Sequence, residues 1–180
     1  MNGILRLKHI QQYKKVSYYS ICLDDEDVPI DEKESLFELF IRAHESENKK
    51  KLNHILAWLQ EIGNKYGAVE DFFRNEQNNG EAMGLPPKKN SKEPVYTENG
   101  KTIPNNLRLY CHRMNESVVI LFSGGIKTAY TPQECPNVRT HFKNANQFTI
   151  TIDNAIKEKD IIWNDDHTDI EYSKDLILYY

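Results

Sequence analysis

Apolar positions along the chain alternate in some stretches and recur at helical spacing in others, and this pattern divides it into elements. The run Val16-Ser17-Tyr18-Tyr19-Ser20-Ile21-Cys22-Leu23 is rich in β-branched and aromatic residues and enters an acidic turn, which predicts a strand. The apolar positions of 4–10 offer it a hairpin partner. After Pro29, Leu36, Phe37, Phe40 and Ile41 form one apolar face at helical period, closed by the polar residues 45–48. A second helix follows, because Leu52, Ile55, Leu56 and Leu59 recur at i, i+3, i+4 and i+7. Ile62 extends that stripe, and Gly63 stands as its natural stop. The stripe has no other apolar partner of comparable size, so the two helices are expected as a hairpin on one face of the sheet.

Residues 68–74 predict a short third helix, and 78–101, rich in Gly, Pro, Asn and Lys, predict a long mobile loop that is either a flap over a site or slack. From Leu107 the period becomes two. Leu107, Leu109 and Cys111 point toward a core, and Arg108, Tyr110 and His112 toward the opposite face. Met114-Asn115-Glu116 then turns the chain into Val118-Val119-Ile120-Leu121-Phe122, which is apolar on both faces and therefore central. These two strands are expected to be adjacent and antiparallel. Gly124-Gly125 marks a bulge or tight turn, and Thr131-Pro132-Gln133-Glu134 has the make-up of a capping-box helix start. That helix is reset at Pro136 and buries Val138, Phe142, Ala145, Ile152 and Ile156. The tail, 161–180, holds two apolar patches around an acidic turn and adds edge strands. The expected class is α+β, a mainly antiparallel sheet with helices over one face.

Composition narrows the setting. At 180 residues the chain has the size of one ordinary domain, spanning 1–180 with the loop near 78–101 and an extension near 161–180. Its longest apolar stretch, 118–122, is too short to cross a bilayer, and 1–10 lack an apolar signal core, so a cytoplasmic protein without a membrane partner is expected. Cys22, Cys111 and Cys135 are odd in number with no Cys-x-x-Cys pair, which predicts buried thiols rather than disulfides or zinc.

A net charge of -4 argues against a nucleic-acid partner until its distribution is considered. Residues 21–39 hold eight acidic side chains against the single Lys33. Residues 101–145 hold six basic side chains (Lys101, Arg108, Arg113, Lys127, Arg139 and Lys143) against Glu116 and Glu134. The second segment is suited to facing a polyanion, and the first would repel one.

Leu107-Arg108-Leu109-Tyr110, the apolar run 118–122 and Gly124-Gly125-Ile126-Lys127-Thr128 together resemble the RelE/HigB-like toxins. In that superfamily a strand with an outward Arg precedes an apolar strand, a Gly-containing segment and a Lys-Thr element leading to a helix. The resemblance is close over 107–132 and elsewhere extends only to the order of elements. Length, acidity and the extra loop and tail depart from the family pattern.

The resemblance implies a RelE-like fold and an endoribonuclease toxin, neutralised by a cognate antitoxin and acting on RNA, free or on the ribosome, without metal or other cofactor. In such a reaction the ribose 2′-hydroxyl attacks the adjacent phosphate, so a site must move protons and neutralise a crowded phosphorane. Arg108 and Lys127 would then bind phosphate, His112 would act as acid or base, and Tyr110 and Tyr130 would stack on bases. Arg113, Arg139 and Lys143, with His141, would extend a phosphate track. The alternative is that these residues are the solvated polar side of a sheet, and the chain a non-catalytic protein-binding module that docks a partner through its acidic segment or tail. Asp165, Asp166, His167, Asp169 and Glu171 have metal-ligand types without a defining spacing, which predicts a charged turn. Cys135, near the expected helix start, is placed for a lowered pKa.

Overall fold

Two antiparallel hairpins form the centre of the protein, and a parallel seam joins them. The computed structural model describes residues 3–23, 28–76, 81–88 and 93–180; residues 24–27 of the acidic run and 78–80 and 89–92 of the expected loop lie outside the described residues. Strands β1 (Ile4–Gln12) and β2 (Ser17–Leu23) make the first hairpin. Strands β6 (Leu107–Arg113) and β7 (Val118–Ile126) make the second, with Asn115 Oδ1 accepting from the N–H groups of Ser117 and Val118 in the turn. The seam is parallel, Ser17 opposite Val118 through Ser20 opposite Leu121. With β3 (Met83–Leu85) and β10 (Leu178–Tyr179) at its edges, the sheet has the order β10-β1-β2-β7-β6-β3 and is otherwise antiparallel. Two small ribbons stand apart, β4 (Thr97–Glu98) with β5 (Lys101–Thr102) and β8 (Ile161–Trp163) with β9 (Ile170–Tyr172).

The sheet is covered on both faces, not one. Leu107, Leu109, Cys111, Val119 and Leu121 pack against α1 (Leu36–His44) and α2 (Lys49–Glu61). Tyr110, Ile120 and Phe122 project the other way, into a second core formed with α3 (Arg139–Glu158). Since 118–122 is apolar at every position, each of its faces must be removed from water, and a single helical layer cannot do that. The side of β6 expected to be polar is therefore interior: Arg108, Tyr110 and His112 are all buried.

Local chemistry sets the helix bounds. Helix α1 begins in a capping box, Ser35 accepting from the Glu38 N–H and Glu38 from the Ser35 N–H. In α2, Leu52, Ile55 and Leu59 are buried, with Ile62 just beyond, and each such side chain contributes about 1.5–3 kcal/mol. The expected stop at Gly63 is not one. The chain continues through a π-helical turn, Ile62–Tyr66, and leaves at Gly67, whose φ of 78° suits glycine. Gly63 instead makes room, since a Cβ there would lie 2.6 Å from the Tyr13 ring.

Three further expectations are corrected. The third helix is a single 3-10 turn, Glu70–Phe72. The 78–101 stretch includes edge strand β3 and one strand of the β4–β5 ribbon. The Thr131 start yields only the 3-10 turn Pro132–Glu134, without a side-chain cap bond, and α3 begins beyond Pro136 at Arg139. Along α3, Val138, Phe142, Ala145 and Ile152 are buried as their spacing predicts, and burial keeps the β-branched 149–152 stretch helical despite its propensity. Among the described residues no helix is long and apolar enough to cross a membrane.

Candidate functional site

Arg108 lies near the start of β6, beside a bulge where three steps of β7 (Leu121 to Gly124) face two of β6 (Leu109 to Cys111). A Cβ at Gly124 would run into the Arg108 carbonyl, so glycine lets the strands close here. Arg108 Nε donates to Glu76 Oε1 at 2.9 Å, and Nη1 to the Asn105 carbonyl at 2.6 Å. Lys127 follows directly on β7; its N–H bonds the Asn106 carbonyl at 2.8 Å and its Nζ donates to Glu76 Oε2 at 2.7 Å. Both cations thus meet on one carboxylate. Arg74 is held nearby, its backbone paired with Gly84 and its guanidinium donating to the Pro86 and Pro87 carbonyls.

The side chains of Glu76, Arg108 and Lys127 are only 3%, 8% and 11% exposed. They border a cleft of about 490 Å³ with Arg74, Lys88 and Tyr130. Four cations therefore face one carboxylate among the described residues of the wall. Burial pushes the Glu76 carboxyl up, but the Lys127 hydrogen bond and the charges of Arg108, Lys127 and Arg74 outweigh it and hold Glu76 below its ordinary value. Burial, and then the Arg108 charge, bring Arg74 down to about 10, so it too stays protonated near neutrality. Tyr130 stands on the rim, 93% exposed.

The other expected site residues are dispersed. Tyr110 is fully buried and no base can stack on it; its hydroxyl has no hydrogen-bond partner among the described residues, and burial and then Glu76 push its ionisation up. His112 bonds Asp153 of α3 through Nε2 at 2.8 Å. It is four residues from Arg108 along the strand, about 13 Å at 3.3 Å per residue, so it does not share the cleft. Arg113 Nε donates to the Ala68 carbonyl, which ties it to the 3-10 segment. Arg139 and Lys143 are exposed on the first turns of α3.

Cys135 is held down to about 7: burial raises it, but the Thr128 hydroxyl and the N–H groups of Thr128, Asn137 and Ala129 lower it further. These loop donors, rather than a helix start, are the cause, and the thiol is fully buried. Asp166 and Asp169 of the acidic turn accept hydrogen bonds from Thr168 and Tyr19.

Glu76, Arg74 and Lys88 were not legible as site residues. No spacing links Glu76 to partners 32 and 51 positions away. The one available cue was that Arg108 and Lys127, expected close together, need a nearby anion if they are to be buried. No family model matches the chain, and neither do any curated proteins or solved structures.

Proposed function

We propose that the cleft around Glu76 binds the phosphate backbone of RNA, with Tyr130 stacking on an adjacent base. The observation behind this is the surplus of cations around a single buried carboxylate. Buried charge is costly unless paired, and one Glu76 cannot balance Arg74, Arg108 and Lys127, so a bound anion would complete the arrangement. An exposed aromatic at the edge of such a cleft suits a single-stranded nucleic acid better than free phosphate.

A RelE-like arrangement, with α1 and α2 as its helical hairpin, adds a reaction to this binding. The 2′-oxygen bonds to phosphorus, the bond to the 5′-oxygen breaks, and protons pass from the 2′-hydroxyl and to the leaving oxygen. Arg108 and Lys127 would carry the phosphorane charge. A cognate antitoxin would cover the cleft. The second reading, a non-catalytic module on the same fold, is favoured by one observation: His112 is engaged by Asp153 away from the cleft, and no histidine lines the cleft among the described residues.

Anisotropy of a fluorescein-labelled single-stranded RNA, with a denaturing gel run with and without ribosomes, separates binding from cleavage. Glu76→Gln removes the competing carboxylate and should tighten RNA binding, by tenfold for each 1.4 kcal/mol released. Lys127→Met should weaken it. Intact RNA with binding preserved selects the non-catalytic reading. Unchanged affinity in both variants, with native melting curves, would overturn the proposal.

A further inference from the structure

Strands β2 and β7 lie side by side in parallel, yet the chain leaves them toward opposite faces, from β2 to α1 and from β7 to α3. Where parallel neighbours send their connections to opposite sides, the following helices diverge and a crevice opens beyond the carboxyl ends of the strands. In this protein the crevice measures about 600 Å³, between α1 and α3, and its floor is Phe122 and the 123–126 end of β7. That volume lies in the range of small-molecule sites.

Its walls differ from the rest of the surface. Although 28% of the chain is charged, no Asp, Glu, Lys or Arg lines the crevice among the described residues. Leu36, Leu39 and Phe40 of α1 face Phe148 of α3 across an apolar interior. Polar groups are few. His44 is satisfied: its Nδ1 meets Asn48 Nδ2 at 2.9 Å and its ring bonds the Gly124 carbonyl. His141, half-buried on the opposite wall, has no hydrogen-bond partner among the described residues, and Asn144 lies one turn along α3. Burial lowers both histidines, which keeps the imidazoles neutral near pH 7.

We propose that this crevice is a binding site for an uncharged, largely apolar small molecule with one hydrogen-bonding edge, which His141 and Asn144 would meet. An ionic ligand would find no countercharge among the described residues of the lining, and a wholly apolar one would leave the His141 ring unpaired. The site is separate from the cationic cleft and independent of it.

The test titrates the ¹⁵N-labelled full chain with indole, a neutral ring with a single N–H, and in parallel with indole-3-acetate, which adds a charge to the same ring. Saturable shifts are expected at Leu39, Ala43, Gly124, His141 and Asn144, with the anion at least tenfold weaker. Ala43→Phe, at the exposed rim, should abolish the indole shifts. Dispersed or unsaturable shifts, equal affinity for the two compounds, or unchanged binding to a natively folded Ala43→Phe would overturn the assignment. If Ala43→Phe does not fold, the comparison of the two compounds on the wild-type chain decides.

Discussion

Strand β6 carries a polar partnership at each end, and the two are built differently. At the Arg108 end a carboxylate only 3% exposed is gripped by two cations that are themselves nearly buried. At the His112 end a mostly buried imidazole meets Asp153, whose side chain is 43% exposed. The same face of one strand thus gives an enclosed cluster with surplus charge and a simple pair bordering water. Only the first holds charge where the solvent cannot answer it, and such a place favours an incoming anion over water.

Glu76→Ala is the strongest way to test this contrast. It strands Arg108 and Lys127 without their shared carboxylate and should cost about 3–5 kcal/mol in urea unfolding, whereas Asp153→Ala should cost about 1 kcal/mol or less. Equal losses would erase the distinction. Acid sharpens it: because the folded protein holds Glu76 below its ordinary pKa of 4.5, its contribution is complete above that value and is lost as pH falls through the folded one. Glu76→Gln should flatten the decline in stability below pH 4.5.

Tyr130→Ala has the next largest effect, and it appears in binding rather than folding. Loss of one stacked base costs about 1–3 kcal/mol, read as weaker anisotropy with labelled RNA, while the exposed ring changes the melting curve by about 0.5 kcal/mol or less. A loss of stability without a loss of binding would show that the tyrosine does not serve the cleft. Lys143→Ala should have the smallest effect, leaving unfolding unchanged and reducing the salt dependence of RNA binding by at most about one phosphate contact.

Much of the sheet was legible because its strands advertise themselves over short distances. The runs 16–23, 107–113 and 118–122 are β-rich, and Asn115 sits in the turn the alternation calls for. The second helical layer was not. Arg108 and His112 look like a solvated edge, and only their distant partners, Glu76 and Asp153, let those positions go inside. Helix caps mislead for a similar reason: Thr131 and Ser35 both precede suitable residues, yet only Ser35 is followed directly by an apolar face that a sheet can bury. In the candidate site, Arg108, Lys127 and Tyr130 border one cleft, while the carboxylate that gathers the first two comes from a stretch with no periodicity to mark it.

The parallel seam has a kinetic consequence. Each hairpin closes over a few residues, but the seam brings together partners such as Ser20 and Leu121, 101 positions apart, whose hydroxyl-to-carbonyl bond measures 2.6 Å. Closing so long a loop must precede any gain from the contacts it allows, and pairings of this range slow folding. Ser20 also accepts the Phe37 N–H at 3.2 Å, so α1 is fixed at the same point. The two hairpins are thus local pairings, while the seam, like the pairing of Ile4 with Tyr179 at the sheet edge, ties together distant parts of the chain and is expected to slow its folding.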